Sequence, residues 1–355
     1  MASDLCMRSE KRIGEPVRRI LAKNCLFDPS RKIKINDAEG TVLIPILMEP
    51  KPEVAEALGK LGQVDLITAT LPISKSPPKD LRGVLEGKLP VNLLDSLPKS
   101  YDVVGDILII ESMPPELMPH RKEIGIALLG LNSSVKTVLL KVGKVEGEFR
   151  VPRLEFLAGV EKYETIHLEY GVKLKVDVSK AYFSPRLGGE RYRVSSSVSD
   201  GETVVDMFAG VGPFSIMIAK KARARVYAID LNSYAVKLIE ANICLNRLKG
   251  DVLPFCGDAR SLAKQFAGMA DRVIMNLPGH SLEFLDVASK LVKKEGGLLH
   301  VYVFAEEDPL ENAESDFRDA AKKLKAGFEI RAMRIVKPTA PREWQVVLDV
   351  WAYPK

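Results

Sequence analysis

Asp206–Ser215 reads DMFAGVGPFS, and its reading decides the fold. The apolar run VVDMF predicts a buried strand, Gly210 and Gly212 a tight turn, and Pro213 the first turn of a helix over Pro213–Lys221. Such a turn lets backbone approach a cofactor closely, and the helix N-terminus offers free N–H groups. Two further strand ends sharpen the reading. VYAID ends on Asp230, about 20 residues on, where doubly wound folds hold a ribose diol. VIMNLP places Asn276 just past another strand, with a proline that stiffens the exit. A dinucleotide fingerprint wants G-x-G-x-x-G, but Phe208 stands where the first glycine would sit. Phe208 would cover a small apolar or aromatic ligand face and would crowd a diphosphate. The expected cofactor is therefore S-adenosylmethionine.

Working outward, 355 residues suggest two or three domains. The 46% hydrophobic and 28% charged composition is that of a globular chain, and no apolar run approaches the roughly 18 residues of a membrane span. Met1–Glu10 is mixed and polar, so a secretory signal is not expected and the cytoplasm is. Cys6, Cys25, Cys244 and Cys256 show no C-x-x-C pairing, and His120, His167, His280 and His300 are scattered, so neither a metal site nor an iron–sulfur centre is expected. Net charge is only +5, yet Arg8–Lys34 carries nine basic residues, including Arg18, Arg19 and Lys32. These suit phosphate contacts, although a solvated helix face is the plainer reading.

Three units are expected: an α/β class with a small N-terminal α/β module, a middle α+β domain and a C-terminal doubly wound domain. The module over residues 1–66 contains the amphipathic helix PVRRILAKNCL, a hairpin of KIKIND and TVLIPIL, and the helix PEVAEALGKL; the strand VDLITATL closes it. Residues 67–98, rich in proline, read as a linker. The middle domain over 99–193 has DVVGDILIIE as one strand, HRKEIGIALLGL as a helix, KTVLLKV as a strand, and a long hairpin turning at Tyr170–Gly171. Residues 194–355 alternate strand and helix, the pattern of a parallel sheet covered on both faces. FEIRAMRIV and QVVLDVWAY, separated by a short loop, should end it as antiparallel neighbours, the pattern of the class I methyltransferase fold.

YFSPRLGGERYRV, followed by VVDMFAGVGPFSI, YAIDLN and VIMNLP, closely resembles the archaeal and eukaryotic tRNA (guanine-N1)-methyltransferases that act on guanine 37. The likeness continues in SYDVVGDILII, RKEIG, GEFRV-x-x-LE-x-LAG and IVK-x-x-APRE, and so covers most of the chain. GEFRVPRLEFLAG departs from the more usual GEFRVRELEHLAG, which alters the setting of Arg153 but leaves Arg150 in place. The resemblance implies Glu190 as general base, Arg150 as the cation facing the developing O6 charge, and Asn276 at the guanine edge or the methionine end of the cofactor. It implies cofactor contacts at Arg191, Phe208, Gly210, Asp230, Leu231, Asp258 and Ala259. It implies tRNA as the partner, gripped at the anticodon loop and outer corner by a monomer without metal. RNA contacts are expected at Arg18, Arg19, Lys32, Tyr182, Arg186, Lys337 and Arg342, with Trp344 beside them. Tyr182 and Phe183 read first as packing residues and second as stacking partners of a flipped base. Without the resemblance, Glu190 among Arg186, Arg191 and Arg193 reads as a surface ion-pair cluster. Two other activities fit the same residues: a wyosine-pathway transfer or methylation on guanine 37, and tRNA binding without catalysis.

Overall fold

The computed structural model describes residues 4–24, 26–72, 80–143 and 152–354. The chain divides into two compact units, 1–94 and 95–355.

In the first unit β1 (Asp4–Glu10), α1 (Gly14–Lys23), β2 (Lys34–Asn36), β3 (Thr41–Pro45), α2 (Pro52–Gly59) and β4 (Val64–Ala69) form a sheet of order β2-β3-β1-β4 with two helices. Val17 and Leu21, four residues apart on α1, bury one stripe against Met7, Val42 and Ile44. β1 lies inside this sheet, antiparallel to both β3 and β4. The sequence reading missed it, because DLCMRSE carries little apolar alternation. β4 runs to Ala69, past the expected boundary at 66. Two short helices, α3 (Leu81–Leu85) and α4 (Val91–Leu94), occupy part of the expected linker and belong to this unit.

The second unit opens with β5 (Tyr101–Val104) and β6 (Ile107–Ile110). This corrects the reading of DVVGDILIIE as one strand: the pair is an antiparallel hairpin turning at Gly105, whose φ is +57°. α5 (Arg121–Leu131), β7 (Thr137–Lys141) and β8 (Leu154–Gly159) complete a sheet of order β5-β6-β7-β8. β9 (Glu164–Glu169) and β10 (Val172–Asp177) form the hairpin expected about Tyr170–Gly171. α6 (Gly188–Ser196) then crosses the expected boundary at 193.

β11 (Thr203–Asp206), α7 (Pro213–Lys221), β12 (Arg225–Asp230), α8 (Ser233–Leu245), β13 (Asp251–Cys256), α9 (Ala259–Leu262), β14 (Arg272–Met275), α10 (Leu285–Leu291), β15 (Gly297–Glu306), α11 (Pro309–Ala321), β16 (Ala326–Ala340) and β17 (Glu343–Pro354) build the seven-stranded sheet. Its order is β13-β12-β11-β14-β15-β17-β16; β17 runs antiparallel to both neighbours, as the class I methyltransferase fold requires. Alternation along the strands sends Val204, Val226, Ile274, Tyr302 and Val347 into one core with Val194, Phe214 and Ile239. Val205, Ile229, Val273, Val301 and Leu348 enter the other core with Leu285, Ala288 and Phe317. Ile107, Leu139, Val172 and Leu174 share the first core. The expected middle domain is therefore packed into the methyltransferase core within one compact unit, because its β-hairpin and sheet bury their apolar faces there.

Candidate active site

Parallel register aligns the carboxyl ends of the strands: Asp206 lies opposite Ala228 and Ile274, and Asp230 opposite Cys256. Successive connections leave β11 toward β12 on one side, while β14 flanks it on the other. Ligands of doubly wound sheets bind at such a switch point. Gly210 and Gly212 there adopt φ of +56° and +78°, which ordinary side chains rarely tolerate. The turn is tied to Asp230, whose Oδ2 accepts from the Gly210 N–H at 2.6 Å and Oδ1 from the Asn232 N–H at 2.9 Å. Burial pushes the Asp230 carboxyl up, opposed by those two bonds.

Asp206 is fully buried beneath the turn, and its Oδ2 accepts from Ser215 Oγ at 2.8 Å. Burial pushes its carboxyl up to about 7, against the Ser215 bond and with help from the Asp230 charge. Its Oδ1 has no hydrogen-bond partner. A buried acceptor without a donor is costly, so the base of this turn favours a ligand that brings donors or positive charge. Leu231 is 39% exposed beside Asp230, and Ala259 is buried one residue past Asp258, which caps α9 by accepting from the Arg260 N–H at 2.6 Å. Phe208 packs edge-on against Phe284 at 4.9 Å and so belongs to the wall of the second core. Paired acidic and apolar groups around a glycine turn fit a nucleoside bearing a cationic end.

Asn276 follows β14, and its Oδ1 accepts from Gln345 Nε2 at 3.1 Å, which leaves the Asn276 amide N–H free to aim elsewhere. Gln345, Val347 and Asp349 alternate onto one face of β17. Val347 stands opposite Tyr302 on β15, and the Tyr302 hydroxyl donates to Glu190 Oε1 at 2.8 Å. The surface-cluster reading of Glu190 is thus corrected: it is 8% exposed, and Arg193 brackets it through Nε to Oε2 at 2.9 Å and Nη2 to Oε1 at 2.5 Å. Gln345, Tyr302, Arg193 and Asp349 were not legible as site residues; the charged Asp349 inside the apolar run VVLDVW was the only signal.

Arg191 has a different setting from a ligand contact. It is 1% exposed and donates from Nε and Nη2 to both oxygens of Glu169 at 2.8 and 2.6 Å, and from Nη2 to the Ser184 carbonyl at 3.0 Å. Phe183 lies 4.9 Å beneath its guanidinium, which gives Phe183 a packing role. Gly210 also faces the Tyr182 carbonyl, and Asn232 Nδ2 donates to the Lys180 carbonyl at 2.7 Å, so the 180–184 segment docks over the glycine turn. Beside that segment is a cavity of about 190 Å³ lined by Asp102, Glu111, Lys141, Tyr182, Arg186 and Lys337. Arg186 pairs with Asp102 at 2.6 Å and Lys141 with Glu111 at 3.2 Å, while Lys337 donates to Ser184 Oγ at 3.2 Å. Burial pushes the Lys337 ammonium down.

The remaining expected positions lie apart. Arg342 is at the exposed β16–β17 turn with φ +60° and faces Glu307 at 3.6 Å; Trp344, the second residue of β17, pairs with Ala305. In the first unit Arg18 and Arg19 both pair with Glu15, whose carboxyl their hydrogen bonds hold at about 2, and Lys32 is exposed. Arg150 lies outside the described residues; Arg153 is exposed, with its carbonyl accepting from the Val142 N–H. Among the described residues no His, Cys, Asp and Glu cluster suits a metal ion, and no helix is long and apolar enough to cross a membrane.

Comparison with known proteins agrees with this geometry. Residues 165–330 match the TRM5/TYW2 methyltransferase domain, 81–162 the TYW2 N-terminal domain, and 6–55 the tRNA methyltransferase 5 N-terminal domain. The chain is 41% identical to the tRNA (guanine(37)-N(1))-methyltransferase Trm5b of Pyrococcus abyssi over 95% of both chains. It is 35% identical to the tRNA(Phe) (4-demethylwyosine(37)-C(7)) aminocarboxypropyltransferase of Pyrococcus horikoshii, over 76% of this chain and 95% of that one. Among solved structures, the complex of aTrm5 with tRNALeu superposes with a TM-score of 0.68 at 37% identity, covering 98% of this chain and 99% of that one. Methanocaldococcus jannaschii Trm5 in complex with adenosine superposes with a TM-score of 0.64 at 36% identity, covering 99% and 100%. From its N-terminal module to its antiparallel final strand, the chain belongs to the TRM5/TYW2 family of methyltransferases.

Proposed function

We propose that the chain is a tRNA (guanine-37-N1)-methyltransferase that uses S-adenosylmethionine, with Glu190 as its general base. The observation that carries the mechanism is a buried carboxylate surrounded by donors, on the sheet face where Gln345 orients Asn276. The cofactor supplies an electrophilic methyl group when bound. Asp230 would hold its ribose, Leu231 and Ala259 would flank the adenine beside Asp258, and the Gly210 turn would admit its backbone-side edge. The free Asp206 Oδ1 beneath the turn supports a cationic amino-acid end there.

Guanine N1 carries a proton at neutral pH, so it is not nucleophilic until a base removes it. Glu190 Oε1 already accepts from Tyr302 and from Arg193 Nη2, whereas Oε2 accepts only from Arg193 Nε. Oε2 therefore has the freer lone pair and takes the N1 proton. The resulting charge moves onto O6, where the Arg150 guanidinium would stabilise it. The Asn276 amide N–H would hold the guanine edge, which reduces the transfer to alignment of N1 with the methyl group. Tyr182, half exposed beside the turn, would stack on the displaced base, and Lys337 and Arg186 in the adjoining cavity would meet its phosphates. Residues 6–55 would contact the outer corner of the tRNA through exposed cations such as Lys32.

A wyosine-pathway transfer is the second reading, favoured by the aminocarboxypropyltransferase likeness. That relative spans only 76% of this chain, while the P. abyssi methyltransferase spans 95% of it, N-terminal module included. Mass spectrometry of nucleosides from an unmodified tRNA transcript and from a tRNA carrying 4-demethylwyosine at position 37, each incubated with enzyme and S-adenosylmethionine, decides between them. The expected product is 1-methylguanosine, made about a hundredfold more slowly in single turnover by Glu190→Gln. A product carrying the aminocarboxypropyl group, or no product from the unmodified transcript, would overturn the proposal.

A further inference from the structure

Glu190 stands at one end of a buried chain of polar groups that crosses the sheet. Arg193, its immediate partner, also donates from Nη1 and Nη2 to Asp349 at 2.8 and 3.2 Å. Asp349 Oδ1 accepts from His300 Nδ1 at 2.6 Å, and Arg334 Nη2 lies 3.4 Å from its Oδ2. His300 Nε2 is 2.8 Å from Arg272 Nη1, and Arg272 Nε reaches Glu202 at 2.9 Å. Arginine has donors only, so Nε2 must accept and the single imidazole proton must sit on Nδ1, facing Asp349. His300 is therefore neutral, and burial and the Arg272 charge both oppose a second proton.

The chain alternates in sign from Glu202 through Arg272, neutral His300 and Asp349 to Arg193 and Glu190. Burial would raise the Asp349 carboxyl, but the His300 bond and the Arg193 charge hold it below its ordinary range, so it stays ionised. Tyr302 is fully buried, and its phenol is pushed well above its usual range by burial and by the Glu190 charge, so it remains a donor. From the strands, Tyr302 of β15 bonds Glu190 directly, while Asp349 of β17, with Arg334 of β16 beside it, reaches Glu190 through Arg193. Arg191, on α6 itself, points to Glu169, and Lys221 of the packed helix α7 bonds Ser196 on the exposed side of α6.

We propose that Tyr302, Arg193 and Asp349 are positioning residues that set how readily Glu190 takes a proton. Tyr302 and Arg193 donate to its two oxygens, and Asp349 shares the Arg193 guanidinium. The inference rests on the reading of Glu190 as general base. It differs from that reading by giving a part in tuning the base to Asp349 on β17, which reaches Glu190 through Arg193.

The opposing roles give opposing signatures. Single-turnover methylation of full tRNA by the full-length enzyme is measured from about pH 4 to 9 for wild type, Tyr302→Phe and Asp349→Asn. Removing the Tyr302 hydroxyl takes a donor from the carboxylate, so the acid limb of the rate profile moves up by about one pH unit. Removing the Asp349 charge leaves Arg193 wholly to Glu190, so the acid limb moves down and the plateau rate falls by about tenfold. Melting temperature and S-adenosylmethionine affinity, followed in parallel, should stay close to wild type for Tyr302→Phe. If Asp349→Asn fails to fold, the upward shift in Tyr302→Phe decides alone. Midpoints that stay at the wild-type value, shifts in the same direction, or a wild-type profile with no acid limb would overturn the inference. Glu190→Gln separates the two levels. Slow Glu190→Gln with unmoved Tyr302→Phe overturns only the network, whereas wild-type rates in Glu190→Gln overturn the base itself.

Discussion

Breaking the Arg191–Glu169 pair should damage the fold before it damages cofactor binding. Both side chains are buried, joined by two hydrogen bonds of 2.8 and 2.6 Å, and α6 begins directly against them: a Cβ on Gly188 would come 2.9 Å from Glu169 Oε2. Burial alone would raise the Glu169 carboxyl, yet the Arg191 bonds, followed by that of His167, bring it from 4.5 to about 2. That difference is worth about 3 kcal/mol at neutral pH, in line with the roughly 3–5 kcal/mol lost when one partner of a buried pair is removed. Glu169→Gln keeps the shape, removes the charge and strands a buried guanidinium. Both tryptophans, Trp344 and Trp351, lie on β17, so their fluorescence during urea unfolding reports the second unit selectively. The expected loss is about 3 kcal/mol at pH 7. The sign follows from a depressed carboxylate: the stabilisation is complete above the unfolded value near 4.5 and is lost as pH falls toward about 2, so mutant and wild type should converge in acid. The double variant Glu169→Leu/Arg191→Met should recover much of the loss, because no charge is left unpaired. A loss below about 1 kcal/mol in Glu169→Gln would refute this account. So would an Arg191→Met variant of wild-type stability with tenfold weaker S-adenosylmethionine binding, which would return Arg191 to the cofactor site.

Asp206 has the opposite sign. Its folded value of about 7 lies above the ordinary 3.8, so stability present in acid is lost as pH rises through 7; without cofactor, Asp206→Asn should unfold at higher urea than wild type at pH 8, by up to about 4 kcal/mol, and match it near pH 4. Equal midpoints at both pH values would show that Asp206 is not buried ionised. Asp230→Ala should weaken S-adenosylmethionine binding by more than about tenfold in calorimetry, as loss of charged hydrogen bonds would, and should also loosen the turn that its carboxylate holds at Gly210; unchanged affinity would remove Asp230 from the site. Deleting residues 1–94 should leave cofactor affinity intact and weaken tRNA binding in filter assays, with a loss that shrinks as salt rises. A salt-independent loss would indicate that the first unit reads tRNA by something other than its cations.

What could be read directly from the chain was local. Asp206–Ser215 carries its own strand, turn and helix, because an apolar run, two glycines and a proline each restrict the backbone within a few residues. The alternation from Thr203 onward gave a sheet covered on both faces, and the short loop before Glu343 gave its antiparallel end. The same local logic failed at DVVGDILIIE, where a glycine inside an apolar run turned the chain instead of continuing it. It failed again at β1, an interior strand of polar sequence whose place is set by partners at Thr41–Pro45 and Val64–Ala69. Family resemblance supplied the tRNA substrate and the Glu190 role that spacing alone left as an ion-pair cluster. Tertiary structure decided which charges meet. Arg191 finds Glu169 22 residues earlier in the chain, and Arg193 finds Asp349 156 residues later. The environment of a buried charge depends on which strands lie side by side, and no local pattern carries that information. The neighbouring arginines of GGERYR therefore look alike in sequence, yet one clamps the β9–β10 hairpin and the other grips Glu190.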